Sequence, residues 1–147
     1  MRHIARLSDT EFEAVKSMFR DVFTALPWND DWSDEKQLTA YIEDLMLNRN
    51  SCCIGMYEND ELIAVSLGSV IHWCSGTEYY IFELFVRPDM QGSGIGSDFI
   101  KQIEEYVKSI GVTHIFLATD RSMPAYKFYL RNGFNVLQDH VSLVKQF

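Results

Sequence analysis

Few residues in this chain carry positive charge, and few are suited to cross-linking or to binding metal. Lys and Arg number 13 against 21 Asp and Glu, a formal net charge of −8. A nucleic-acid face needs clustered cations, so this balance argues against that partner class. It biases the long-range field toward a cationic partner, and it serves solubility equally well. The three cysteines, Cys52, Cys53 and Cys74, are odd in number and two are adjacent. That is neither a disulfide framework nor a zinc spacing, and it predicts a reducing, cytoplasmic setting with the thiols used for packing. The four histidines, His3, His72, His114 and His140, are scattered, so no metal site is predicted. Met1-Arg2-His3-Ile4 lacks the apolar core of a signal peptide, and no apolar run is long enough to span a membrane. No linker, internal repeat or low-complexity stretch interrupts the chain.

What is present fits one domain, residues 1–147, with a sizeable core. The hydrophobic share of 47% beside 23% charged residues argues against disorder. The chain is organised around Tyr79 to Ile110. Tyr79 to Val86 is aromatic, aliphatic or β-branched almost throughout, as a buried strand should be. Pro88 cannot donate to a sheet ladder and ends it. Gln91-Gly92-Ser93-Gly94-Ile95-Gly96 follows, and then Phe99, Ile103, Tyr106, Val107 and Ile110 fall on one helical face.

Glycines between a strand and a helix allow unusual torsions and close approach of a ligand. The first amides of a helix have no partner within it, and the macrodipole adds partial positive charge there. The arrangement is an anion site suited to phosphate. A Walker loop would need Lys-Ser or Lys-Thr after the last glycine, and this chain has Ser97-Asp98. A dinucleotide turn would space its glycines as G-x-G-x-x-G early in a βαβ unit, whereas here the spacing is Q-x-x-G-x-G in mid-chain, so neither motif fits. A glycine turn without a ligand is the plain alternative.

The run Val86-x-Pro88-x-x-Gln91-Gly92-x-Gly94-x-Gly96 resembles the acetyl-CoA signature of the GNAT N-acetyltransferases. Ala125-x-x-Phe128-Tyr129-x-x-x-Gly133-Phe134 resembles the second family motif at the expected distance. The resemblance covers Ile81 to the C-terminus and, more loosely, the strands before it. It implies an α/β (α+β) domain with a mixed, mostly antiparallel central sheet flanked by about four helices. It implies acetyl-CoA as co-substrate, with no metal. The backbone of Leu84, Phe85 and Val86 would pair with the pantetheine arm, and Gln91, Gly92, Ser93, Gly94, Ile95, Gly96 and Ser97 would hold the pyrophosphate. Tyr129 falls where the family places a tyrosine beside the coenzyme sulfur. Ser122 stands where many members carry an asparagine that touches the coenzyme arm. Leu117 stands at about the place of a fifth-strand glutamate used by ribosomal-protein N-terminal acetyltransferases, a departure that weakens the protein-terminus reading.

The remaining elements read in order. His3 to Leu7 is a short strand, and Ser8 with Glu11 has the form of a capping box ahead of a helix. That helix turns Phe12, Val15, Met18, Phe19, Val22 and Phe23 to one side. A loop with two tryptophans and two acids follows, Pro27-Trp28-Asn29-Asp30-Asp31-Trp32. Ser33 is a candidate cap for a second helix with Leu38, Tyr41, Ile42, Leu45 and Met46 on its apolar face. Ser51 to Tyr57, Glu61 to Trp73 and Tyr79 to Val86 are consecutive antiparallel strands. Val112 to Ala118 is a fifth. A helix from about Met123 to Asn132 ends at Gly133, and Phe134 to Gln138 and Val141 to Val144 are expected to close the sheet.

Acetyl transfer to an amine needs a neutral nitrogen, and freeing a lysine-like amine at pH 7 costs roughly 4–5 kcal/mol. A carboxylate at the nitrogen can hold the ammonium and help remove its proton. Glu83 is the only acid within its strand, and small-molecule members of the resembled family use an acid at about that position; a solvated strand end is the alternative. Asp120 is the reserve. The Tyr129 hydroxyl could donate to the departing thiolate, while a core tyrosine on an amphipathic helix is its alternative. Trp28, Asp30, Asp31 and Trp32 offer aromatic faces and negative charge to a cation, or are a solvated loop with its tryptophans tucked into the core. These readings point to acetyl transfer from acetyl-CoA to a small cationic amine, aminoglycoside- or polyamine-like. A protein amine acetyltransferase and a non-catalytic acyl-CoA-binding module are the other classes. The sequence does not set the oligomeric state, and a homodimer stays open.

Overall fold

A computed structural model describes all residues from Met1 to Phe147. The elements run β1 (Arg2–Arg6), a 3-10 turn (Asp9–Glu11), α1 (Phe12–Phe23), α2 (Glu35–Met46), β2 (Ile54–Glu58), β3 (Glu61–Trp73) and β4 (Gly76–Val86). A second 3-10 turn (Pro88–Met90), α3 (Ile95–Ser109), β5 (Val112–Leu117) and α4 (Pro124–Arg131) complete them. The strands form one sheet in the order β1-β2-β3-β4-β5. The first three interfaces are antiparallel, and β4 pairs β5 in parallel. A parallel neighbour requires a long crossover, and α3 supplies it. The sheet is thus mixed and mostly antiparallel, with four helices. No helix is long and apolar enough to cross a membrane.

The sheet is covered on both faces. On one face Val15, Phe19, Val22 and Phe23 of α1 and Leu38, Ile42 and Leu45 of α2 bury Cys53, Val65, Leu67 and Phe85. On the other, Phe99, Ile103 and Val107 of α3 bury Ile54, Met56, Ile63, Tyr79 and Ile81. Tyr79 is fully buried, and its hydroxyl is satisfied by Ser66 Oγ at 2.9 Å and by the carbonyl of Cys52 at 2.9 Å. Gly68 makes room for that ring, since a Cβ there would stand 2.6 Å from it.

Two local expectations change. Asp34, not Ser33, caps α2, its side chain accepting from the amides of Lys36 and Gln37. Ser33 donates instead to Asp31. Ser8 and Glu11 do bond, at 2.8 Å, but around the short 3-10 turn, with α1 beginning at Phe12.

The closing strands expected over Phe134 to Gln138 and Val141 to Val144 are absent. The tail forms no regular element apart from a turn at Gln138 and Asp139 and makes no backbone hydrogen bond to β5. The pattern of apolar residues there satisfies local β-propensity, but a strand exists only where a ladder forms. A cavity of about 800 Å³ separates much of this segment from β5 and from α3 and α4. Val141, Leu143, Val144 and Phe147 are correspondingly exposed.

Candidate active site

The candidate site lies where β4 outruns β5. Residues Thr77 to Ile81 of β4 pair with β5, the last pair being Ile81 with Leu117. From Phe82 to Val86 no strand faces β4 on that side, while β3 still pairs on the other. Leu84, Phe85 and Val86 therefore offer an unpaired strand edge, the feature an extended amide chain needs in order to pair with backbone.

A bulge sets which side chains face which way. Glu83 lies opposite Leu67 and Ile81 lies opposite Gly68, so Phe82 has no opposite residue. One inserted residue reverses the alternation that follows. Before the bulge Tyr79 and Ile81 face α3; after it Leu84 and Val86 do, while Phe85 packs with α1 and α2. Glu83 is thereby turned toward the helix pair, where the Tyr41 hydroxyl donates to its Oε2 at 2.5 Å. An unbroken strand would have turned it into the α3 core.

The second 3-10 turn leads into the glycine turn. Gln91 Nε2 donates to the Val86 carbonyl at 3.0 Å, and Ser93 Oγ donates to that of Met90 at 2.9 Å. Gly92 and Gly94 take positive φ values of 80° and 82°, which side-chain-bearing residues rarely adopt, and a Cβ at either would meet only open space. Gly94 is the N-cap of α3, with no side-chain cap. The amides of Ile95, Gly96 and Ser97 are left without protein partners and point from a helix N-terminus. That is the donor set a pyrophosphate requires. Gly96 serves differently: a Cβ there would stand 2.9 Å from the Phe128 ring, so glycine lets α3 approach α4.

Beside the free edge is a cavity of about 270 Å³. Trp28, Asp30, Trp32, Glu83, Asp120 and Tyr129 line it, with Phe19, Phe23, Phe82 and Leu84 among the rest. Residues from the α1–α2 loop, from β4, from the end of β5 and from α4 thus meet at one place. Both tryptophans also pack on the core: Trp28 lies 5.4 Å from Phe23, and Trp32 meets Phe19 edge-on at 5.2 Å. The loop's tryptophans are thus tucked against the core while also lining the cavity. Asp31 does not line the cavity; it accepts from Ser33 N and Oγ. Ser122 is also outside it, bonded through N and Oγ to Asp120 Oδ1.

The electrostatics follow from burial. Burial pushes the Glu83 carboxyl up to about 6, opposed by the Tyr41 hydrogen bond and reinforced by the charge of Asp30. Burial, then the charge of Glu83, pushes the Tyr129 hydroxyl well above its ordinary value. Tyr129 is 9% exposed, its hydroxyl has no hydrogen-bond partner in the protein, and it borders both cavities. The Asp120 carboxyl, on the surface, is held low by Ser122. Trp32 Nε1 is buried without a partner.

Two contributors were not visible as site residues in the sequence. Phe82 is the bulge, but its strand is apolar at nearly every position, so alternation marks no break. Tyr41 reads as one more member of the apolar face of α2, and only its hydroxyl hinted at a polar contact.

Known proteins agree with this fold. The sequence matches the acetyltransferase (GNAT) family over residues 12–134. A search of curated proteins finds no significant match. Among solved structures, an aminoglycoside acetyltransferase, meta-AAC0020 from an uncultured soil metagenomic sample in complex with sisomicin, superposes with a TM-score of 0.74 at 18% identity, covering 99% of this chain and 96% of that one. The aminoglycoside N-acetyltransferase AAC(6')-Iy in complex with CoA gives 0.73 at 14% identity, covering 100% and 96%. A protein described as a transcriptional regulator from Bacillus halodurans C-125 gives 0.76 at 19%, covering both chains completely. At these identities the superpositions speak for the fold alone. The family match spans most of the chain, and with the glycine turn, the parted strands and the second motif in place, the protein belongs to the GNAT family of acetyltransferases.

Proposed function

We propose that this protein transfers an acetyl group from acetyl-CoA to the primary amine of a small cationic molecule, with both substrates bound together. The observation that carries the reading is the convergence of Glu83, Tyr129, Asp30, Asp120, Trp28 and Trp32 on one cavity beside the free edge of β4.

The donor set suits acetyl-CoA. Unpartnered amides at the start of α3 would hold the pyrophosphate, and the β4 edge from Leu84 to Val86 would pair with the amides of the pantetheine arm. The coenzyme supplies an acetyl thioester, activated toward nitrogen. Oriented backbone donors on β4 would stabilise charge developing on the acetyl oxygen.

Glu83 acts on the acceptor. A carboxyl pushed up to about 6 is ionised at neutral pH yet closer to an amine in proton affinity than an ordinary glutamate. It holds the ammonium form and takes its proton, directly or through water. Tyr129 acts at the other end, donating a hydrogen bond to the sulfur as the thiolate leaves. Because its hydroxyl is pushed upward, it stabilises the thiolate as a donor and keeps its own proton.

Cavity size and charge describe the acceptor. A volume of about 270 Å³ admits a small amine head more readily than a folded peptide surface. Asp30, Asp120 and Glu83 provide negative charge and the tryptophans provide aromatic faces, which suit an aminoglycoside- or polyamine-like cation. The aminoglycoside acetyltransferases among the solved relatives of the fold support this class. A screen of small amines with acetyl-CoA, reading release of free thiol, tests the proposal. Turnover confined to polycationic amines is the expected result; thiol release only with peptide amines, or with none, would overturn it.

A further inference from the structure

We propose that Tyr41 is a positioning residue that holds the Glu83 carboxylate in register with the acceptor amine, fixing one oxygen so that the other receives the proton. The inference rests on the reading of Glu83 as the base.

Tyr41 sits on α2, far from Glu83 in sequence, and its hydroxyl donates to Glu83 Oε2 at 2.5 Å. No other hydrogen bond within the protein reaches the Glu83 carboxylate, so Oε1 is uncommitted. The Tyr41 ring is clamped. It stacks on Trp32 with centroids 5.3 Å apart and planes 18° apart, and it leans on Phe19 at 5.7 Å. The helix beneath it is held to α1 by Glu35, which takes Lys16 Nζ at 2.7 Å and Arg20 Nη1 at 2.9 Å. A hydroxyl fixed this way selects one orientation of the carboxylate.

No cation performs that task. The titratable groups around Glu83 are Tyr41 from α2, Asp30 from the α1–α2 loop, Tyr129 from α4, and Asp120 beyond β5 across the cavity. None is positively charged. Lys16 and Arg20, the cations of α1, are committed to Glu35. A buried carboxylate with no counter-charge tends to take up a proton, which would disable it as a base. The Tyr41 bond opposes that tendency without cancelling the negative charge that attracts the ammonium. Tyr41 does not itself give up its proton: burial and the charge of Glu83 push its hydroxyl well above the ordinary tyrosine range. In the transfer, the N–H bond of the ammonium breaks and an O–H bond forms at Oε1, while Tyr41 keeps its proton.

The test is Tyr41→Phe, which removes the hydroxyl and keeps the ring on Trp32. The Glu83 carboxyl is followed by carbon-13 NMR titration of the labelled full chain, its signal identified by its loss in Glu83→Gln. In parallel, kcat/KM for an accepted amine is measured against pH. Tyr41→Phe should move the Glu83 midpoint upward by about one unit, so that kcat/KM near pH 6 falls several-fold and recovers at higher pH. In the Glu83→Gln background it should cost nothing further. An unmoved midpoint, or a pH-independent loss that adds in full to that of Glu83→Gln, would overturn the inference while leaving the base assignment standing. A Glu83→Gln enzyme with the wild-type rate and pH profile would overturn the base assignment itself, and the role of Tyr41 with it. Tryptophan fluorescence reports whether the stack survives.

Discussion

Ile81 is the last residue of β4 to face β5, and its partner Leu117 is the last residue of β5. Beyond that pair β4 continues for five residues, Phe82 to Val86, with one edge bare. A bare edge exchanges its outward amide hydrogens freely unless something covers it. If acetyl-CoA lies against that edge, adding it should slow hydrogen exchange in peptides spanning Phe82 to Val86 and leave Glu61 to Leu67 on β3 unchanged. Equal exchange with and without coenzyme would remove the β4 edge from the binding site.

At the glycine turn, charge can be separated from shape. Gly94 has a φ of 82° with open space around its missing Cβ, and Asp and Asn both tolerate that region better than most residues. Gly94→Asn should weaken coenzyme binding modestly. Gly94→Asp, of the same shape but negatively charged, should weaken it by a further tenfold or more through repulsion of phosphate. Calorimetric titration of acetyl-CoA into both variants checks this, and equal affinities would move the pyrophosphate elsewhere.

Removing only the hydroxyl of Tyr129 should act on turnover. Tyr129→Phe is expected to lower kcat by a factor of about 100 to 1,000, the range found when one donor to developing charge is lost, with coenzyme affinity little changed. Since its hydroxyl is pushed up, away from the working range, the shape of the pH profile should stay as in the wild type. Wild-type turnover, with chemistry shown to be rate-limiting, would return Tyr129 to core packing.

Glu83 should cost stability where it is ionised. Its carboxyl is pushed from 4.5 up to about 6 on folding, so the folded chain binds the proton more tightly than the unfolded one. Stability therefore falls as pH rises from about 4.5 to 6, and the loss is complete above that window, amounting to about 1–2 kcal/mol. Glu83→Gln should be more stable than wild type at pH 7 by up to that amount and should lose the advantage below pH 4.5. Urea denaturation at pH 4 and pH 7 measures it, and a Gln variant destabilised at pH 7 would contradict the assignment.

The two loop acids should separate. Asp30 lines the cavity, whereas Asp31 is bonded to Ser33 and does not line it. Asp30→Asn should raise KM for a polycationic amine severalfold with kcat nearly intact, an effect that shrinks as salt rises. Asp31→Asn should leave KM unchanged. Steady-state kinetics at low and high ionic strength distinguish them, and matching effects from both substitutions would count against the acidic pocket.

Much of this arrangement was legible from local pattern. The helical spacing of Phe99, Ile103 and Val107, the apolar run from Tyr79 to Val86 and the glycines after Pro88 each describe a short segment by itself, and each took its expected form. The direction in which Glu83 points was not legible, because it depends on one unpaired residue in a strand with no polar alternation to break. The Tyr41 contact was hidden for another reason: it joins two elements 42 residues apart. The tail differed in the opposite way, since Val141 to Val144 has strand-like side chains but forms no ladder bond. Sequence pattern reports what a segment favours, whereas these three features depend on what a distant segment does.

The missing side chain at residue 96 brings the two ends of the candidate site into contact through one ring. With only a hydrogen there, the first turn of α3 bears directly on the ring of Phe128, and the next residue along α4 is Tyr129. The rings of Phe128 and Tyr129 meet edge-on at 5.2 Å, so the glycine turn and Tyr129 are joined through a single side chain. If the glycine turn holds the coenzyme, its docking and the placement of the Tyr129 hydroxyl share one contact, across a gap too narrow for a methyl group.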